Sequence, residues 1–217
     1  MSVVGIIAAG GSGERLGAEM PKAFVVLAGR PLLDWSLSVL RDVADRVVVA
    51  VPPGSPQSSV LGPREIVDGG ESRSASVRNA VLAAPEASVY VVHDAARPLI
   101  TPDLVRRCLD ALGPGVDGAI AAAPMTDTVK EAAPDGRVMH TLDRTSLWRI
   151  QTPQVFRAGI LREALDRDPA ALAAATDDAS LVEEIGGTVH VVEAPLQNMK
   201  VTSESDLRVA EALLAGR

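Results

Sequence analysis

Short apolar runs alternate with segments of helical periodicity along the first half of the chain. The runs are VVGIIAA from Val3, RVVVAV at 46–51, EIV at 65–67, SVYVV at 88–92 and GAIAAA at 118–123. Blocks of this length and β-branched content are strands, and their spacing by helices predicts βαβ units and a mostly parallel sheet. Two helix starts are signalled locally. Thr101 before Pro102 and Asp103 offers an N-cap, a first-turn proline and an acid that favours the helix dipole, and Ser203 to Asp206 resembles a capping box ahead of Leu207. Residues 158–185 are expected to be helical, with the Ala-rich middle PAALAAAT and a stop at Gly186-Gly187. VHVVE is expected to be a further strand and Thr202 to the end a terminal helix.

The rhythm breaks between about Thr126 and Phe156. DTVKEA, GRVMHTL, LWRI and QVF flank the turn signal Pro134-Asp135-Gly136, which predicts a hairpin-like arm projecting from the main sheet at about 130–157. Trp148, Ile150 and Phe156 concentrate large apolar groups in a segment too thin to bury them. A partner subunit could cover them.

Composition narrows the class. The 217 residues suit one α/β domain, and 47% are hydrophobic although only 2% are aromatic, so the core is expected to be Ala, Val and Leu. A net charge of -7 argues against binding nucleic acid or an anionic membrane by bulk attraction, so an anionic ligand needs a local site. The single cysteine, Cys108, falls on the helix face Leu104, Val105, Cys108, Leu109, Leu112 and reads as core; one cysteine excludes an intrachain disulfide or a cysteine zinc site. No stretch reaches membrane length and the apolar start lacks a basic flank, so a soluble cytoplasmic protein is expected.

The chemistry begins in AAGGSGERLGAEMPKAF, residues 8–24. Strand, glycine loop, then helix turns backbone N–H groups toward an anion. The dinucleotide fingerprint needs a glycine at position 16, where Leu16 stands, and a Walker A loop needs Gly before Lys22 and Ser or Thr after it, where Pro21 and Ala23 stand. What remains is G-x-G-x-R-x-G over Gly11, Gly13, Arg15 and Gly17, followed by Pro21-Lys22. A guanidinium and an ammonium around one glycine cradle suit a triphosphate. The alternative is a flexible turn with two solvated cations, partly offset by Glu14 and Glu19. Asp94 ends the strand SVYVVH, at the edge where open α/β sheets place their ligands.

Taken in order, AAGGSGERLG with MPKAF, VDGGESRSASV, VHDAARPLI, DTVK, HTLDRTSLWRIQTPQVF, TDDAS and NMKVT resemble the 2-C-methyl-D-erythritol 4-phosphate cytidylyltransferases of the non-mevalonate isoprenoid pathway, from near residue 5 to near residue 210. The resemblance implies a Rossmann-like nucleotidyltransferase fold, a homodimer with interlocking arms, and a reaction in which CTP and 2-C-methyl-D-erythritol 4-phosphate give the CDP-linked alcohol and pyrophosphate with Mg²⁺. By the same resemblance Arg15, Lys22 and Lys200 are catalytic cations. Ala8, Ala9, Gly10, Gly11, Gly13, Gly70, Ser76, Asp94 and Ala95 bind the nucleotide, with Gly70 and Ser76 at cytosine and Asp94 also at the metal. Arg97, Thr128, Arg144, Thr152 and Thr176 bind the alcohol phosphate, with Arg97 orienting or pairing with Asp94 and the arm residues reaching a neighbouring subunit's site. Two positions depart from the pattern: Glu71 in place of Asp in the cytosine stretch, expected to be without consequence, and Gln197 where some relatives carry an acid, which leaves a second metal carboxylate open.

The implied nucleophile is a phosphate oxygen already ionised at neutral pH, so no side chain has to be activated by a base. His93, His140 and His190 show no triad spacing and are expected to be structural. Competing readings are a cytidylyltransferase for ribitol 5-phosphate, a sugar-1-phosphate nucleotidylyltransferase using UTP or dTTP, and a non-catalytic nucleotide-binding module. No fused cyclase is expected in this chain.

Overall fold

The computed structural model describes residues 1–11, 13, 20–55 and 65–216. In chain order its elements are β1 (Val3–Ala8), β2 (Val26–Leu27), β3 (Arg30–Pro31), α1 (Leu32–Arg41), β4 (Arg46–Val51), β5 (Ile66–Asp68), α2 (Arg73–Leu82), β6 (Val89–Asp94), α3 (Pro102–Asp110) and β7 (Gly118–Pro124). There follow β8 (Lys130–Ala132), β9 (Val138–Thr141), β10 (Trp148–Arg157), α4 (Ala158–Leu165), α5 (Pro169–Ala174), α6 (Asp178–Glu184), β11 (Val189–Glu193) and α7 (Glu204–Ala215).

Among the described residues the main sheet has seven strands in the order β11-β7-β10-β6-β1-β4-β5. All run parallel except β10, which is antiparallel to both β6 and β7. Neighbouring residues on a strand point to opposite faces. Ile6, Val48 and Val92 therefore pack with Val77, Leu161 and Val182 from α2, α4 and α6, while Ile7, Val49 and Val91 pack on the other face with Leu37 of α1 and with Leu104 and Cys108 of α3. This double cover is why the strands read as continuous apolar blocks. Register sets Ala8 beside both Ala50 and Asp94, so β1, β4 and β6 end level and the segments leaving them share one edge.

Both helix starts form as the sequence predicts. Thr101 Oγ1 accepts from Leu104 N at 3.3 Å, and Ser203 and Asp206 close a reciprocal capping box. Among the described residues no helix is long and apolar enough to cross a membrane.

The projecting segment is shorter than predicted. The Pro134-Gly136 turn joins only β8 and β9, whose residues are all exposed. Trp148 to Ile150 of LWRI and the stretch QVF are not arm stretches but the two ends of β10, which lies inside the main sheet with Gln154 to Arg157 paired to β6. Phe156 is wholly buried in the core and lies against Gly118, where an added Cβ would meet its ring at 2.6 Å. Phe156 therefore needs no partner subunit to cover it. Pro153 concealed the strand: it splits the pattern at the register shift between Ile150 and Gln154. Trp148 and Ile150, 37% and 41% exposed, keep the predicted surplus of apolar surface.

Candidate functional site

The chain leaving β1 builds one wall of a cleft of about 330 Å³ at the level strand ends. Lys22 N donates to Gly11 O at 3.0 Å, closing the glycine loop upon itself. Gly13 has φ +81, and a Cβ there would lie 2.8 Å from Met20 O, so the position demands glycine twice over. Lys22 opens a turn of 3-10 helix, Lys22–Phe24, with its side chain mostly buried and lining the cleft. Arg15 lies outside the described residues.

The second wall is the turn from β5 into α2. Ser72 caps α2 by accepting from Ala75 N at 3.1 Å. Ser76 Oγ donates to Ser72 O at 2.9 Å and accepts from Gly70 N at 3.0 Å. Its one proton is thus committed, and what the hydroxyl offers the cleft is a remaining lone pair. Gly70 sits so close to α2 that an added Cβ would meet that of Ala75 at 2.6 Å.

Asp94, at the end of β6, is the electrostatic centre. Its Oδ1 accepts from Arg73 Nε at 2.8 Å and its Oδ2 from Lys200 Nζ at 2.7 Å. Arg73 also donates through Nη1 to Asp178 Oδ2 at 2.7 Å. Burial alone would raise the Asp94 carboxyl, but the charges of Arg73 and then Lys200 outweigh it and hold the group well below the usual carboxylate range. Burial likewise works against the Arg73 cation, and the charges of Asp178 and Asp94 more than reverse it. Arg73 was not among the residues the sequence singled out, because an arginine just after an N-cap reads as solvated.

His93 is wholly buried beneath Asp94. Its Nε2 is 3.1 Å from Arg97 O, which can only accept, so Nε2 carries the proton and Nδ1 accepts from Thr152 Oγ1 at 2.9 Å. Thr152 Oγ1 in turn accepts from Asp94 N at 3.0 Å. The chain of bonds requires a neutral ring, and burial pushes the His93 pKa down to about 4. The unfolded chain binds this proton at about the ordinary 6.5 and the folded one only near 4, so the group's contribution is intact above pH 6.5 and is lost as pH falls toward 4. Denaturant unfolding of parent and His93→Gln across that window is expected to show a pH-dependent difference approaching 3 kcal/mol, in order of magnitude. A difference independent of pH would contradict it.

Lys22, Lys200 and every described residue predicted to bind the nucleotide, from Ala8 and Ala9 to Asp94 and Ala95, line this cleft. The residues predicted for the alcohol phosphate are not among those lining it. Thr128, Arg144 and Thr176 are exposed, with Arg144 Nη1 donating to Thr126 O, and Thr152 is buried with its hydroxyl engaged as described. Arg97 does not pair with Asp94. Its guanidinium donates to Asn198 O at 2.9 Å and Ile150 O at 3.4 Å, while Asn198 Nδ2 donates to Gln151 Oε1 at 2.7 Å and Thr152 O at 2.9 Å. Together they fasten the segment carrying Lys200 to β10.

The sequence profile of the 2-C-methyl-D-erythritol 4-phosphate cytidylyltransferases, IspD, matches residues 3–216. The chain belongs to this family. A cytidylyltransferase of that name from Nocardia farcinica is 43% identical over 223 residues, covering 100% of this chain and 95% of the relative. One from Rubrobacter xylanophilus is 42% identical, covering 99% and 95%. The crystal structure of the Thermus thermophilus cytidylyltransferase superposes with a TM-score of 0.85 at 36% identity, covering 99% of this chain and all of that one. The fold is thus that of the IspD nucleotidyltransferases, as the motifs led one to expect.

Proposed function

We propose that this chain transfers the cytidylyl group of CTP to the phosphate of 2-C-methyl-D-erythritol 4-phosphate, forming 4-diphosphocytidyl-2-C-methyl-D-erythritol and releasing pyrophosphate. The observation that carries the reading is one cleft in which a closed glycine loop and Lys22 lie with Lys200 and Asp94.

The acceptor oxygen attacks the α-phosphorus of CTP already ionised, so the step needs placement and positive charge rather than a base. The chain's chemistry agrees: His93 is neutral and buried, and burial pushes the Cys108 thiol up to about 12. Lys22 and Arg15 stabilise the triphosphate and the departing pyrophosphate, and Lys200 meets the α-phosphate or the acceptor phosphate. Gly70 and Ser76 read cytosine, the serine lone pair accepting from its amino group. Replacing Gly70 by Ala is expected to push the loop off α2 and raise KM for CTP by about tenfold, a cost of about 1.4 kcal/mol, in steady-state kinetics; an unchanged KM would remove the loop from base recognition.

Among the described residues no three metal-binding side chains cluster, yet Mg²⁺ does not require it, since one carboxylate plus substrate phosphates makes an ordinary set. Asp94, ionised and lining the cleft, fits and would hold the ion, which supplies neutralisation of phosphate charge. Glu71, the other carboxylate among the described residues along the cleft wall, is the candidate for a second metal ligand.

Thr128 and Arg144 are proposed to serve the alcohol phosphate across a homodimer, supported by the exposed arm and the half-exposed Trp148 and Ile150, and Thr176, outside the arm, to serve it as well. Thr152 contributes by holding the backbone of Asp94. A cytoplasmic location fits a reaction fed by CTP. The test is pyrophosphate release with Mg²⁺ over a panel of CTP, UTP and dTTP against methylerythritol phosphate and ribitol 5-phosphate. The pairing of CTP with methylerythritol phosphate is expected to exceed the rest in kcat/KM, and preference for ribitol phosphate or UTP would overturn the reading.

A further inference from the structure

The two cations on Asp94 are held in different ways. Arg73 is a fork fixed at both ends, with Nε on Asp94 at 2.8 Å and Nη1 on Asp178 at 2.7 Å. The Asp178 side chain is 0% exposed, so removing Arg73 would leave a buried carboxylate without its partner. Lys200 makes one bond, to Asp94 Oδ2 at 2.7 Å, from a side chain 41% exposed. The Asp94 side chain is itself only 10% exposed, so the carboxylate needs a cation at all times, but Lys200 leaves one bond and re-enters water whereas Arg73 would abandon two carboxylates.

Resting on the function proposed above, we propose that Lys200 changes partners during the reaction. Its ammonium neutralises Asp94 in the free chain and passes to a substrate phosphate when CTP binds. Arg73, anchored on Asp178, stays in place and is the positioning residue that keeps the vacated Oδ2 of Asp94 turned into the cleft. Two cations on one carboxylate then have separate duties: a triphosphate draws off the looser one, and the fixed one prevents the carboxylate from swinging after it. The third contact on Asp94, Thr152 Oγ1 under its backbone N–H, holds the main chain during the exchange.

The chain contains three lysines, Lys22, Lys130 and Lys200, which makes the exchange directly readable. Lysine side chains labelled with ¹³C and ¹⁵N give three resolvable NMR signals, with Lys200 assigned by its loss in Lys200→Met. In the free protein Asp94→Asn is expected to shift the Lys200 signal. With CTP bound and metal chelated, parent and Asp94→Asn are expected to give the same Lys200 signal, because the ammonium has left Asp94. A shift on Asp94→Asn of equal size with and without CTP would overturn the exchange alone. If CTP moves no lysine signal, both the exchange and the nucleotide reading of the cleft fall.

The positioning role has its own readout. Arg73→Lys keeps the charge but cannot bridge two carboxylates, and it is expected to lower kcat on the order of thirtyfold while KM for CTP stays within about threefold. A purely structural role would lower the melting temperature and leave kcat per folded molecule unchanged, which would overturn it.

Discussion

Lys22→Ala is expected to fold as the parent does and to turn over at least about a hundredfold more slowly. Its backbone N–H to Gly11 O, which closes the loop, survives the substitution, so circular dichroism and melting should change little. Lys22 lines the cleft and is mostly buried, so water cannot replace its lost ammonium cheaply. Removing one preorganised charge or donor from a site that stabilises developing negative charge costs on the order of 3 to 4 kcal/mol, and each 1.36 kcal/mol is about tenfold in rate. Steady-state pyrophosphate release checks it. Near-normal kcat would remove Lys22 from the mechanism.

Arg73→Met is expected to be the most destabilising single change in the cleft. It leaves Asp178, whose side chain is 0% exposed, and Asp94, 7% exposed, without the cation between them. Breaking a buried pair by removing one partner costs on the order of 3 to 5 kcal/mol. Adding Asp178→Leu to Arg73→Met should return much of that loss, because the uncompensated buried charge is then gone. Urea unfolding of the two variants checks both statements; equal stability of parent and Arg73→Met would show that the bridge carries no weight.

The parts of the fold legible in the sequence are those whose signal is local. β1, β4 and β7 are continuous apolar blocks because helices cover both faces of the sheet, and the caps at Thr101 and Ser203 declare themselves within four residues. β10 was only half legible: Trp148 to Ile150 alternate like an exposed hairpin strand, and Pro153 interrupts the run before Phe156 enters the core. The site divides in the same way. The glycine loop, Asp94 and Lys200 carry their chemistry in adjacent residues. Arg73 does not, since its meaning comes from Asp178, 105 residues away, and an aspartate at the first position of a helix reads as a dipole partner. Arg97 beside Asp94 in HDAAR suggests an ion pair, yet its guanidinium serves the carbonyls of Asn198 and Ile150. Thr152 suggests a ligand hydroxyl, yet that hydroxyl is consumed between His93 and the backbone of Asp94.

The most direct test of the central claim, that cations and bare main-chain amides collect the triphosphate at this strand edge, is a crystal structure with CTP bound. The account predicts the phosphates against Gly10, Gly11 and Lys22, with the cytosine over Gly70 and Ser76. A triphosphate bound elsewhere, with Lys22 turned to bulk water, would contradict it.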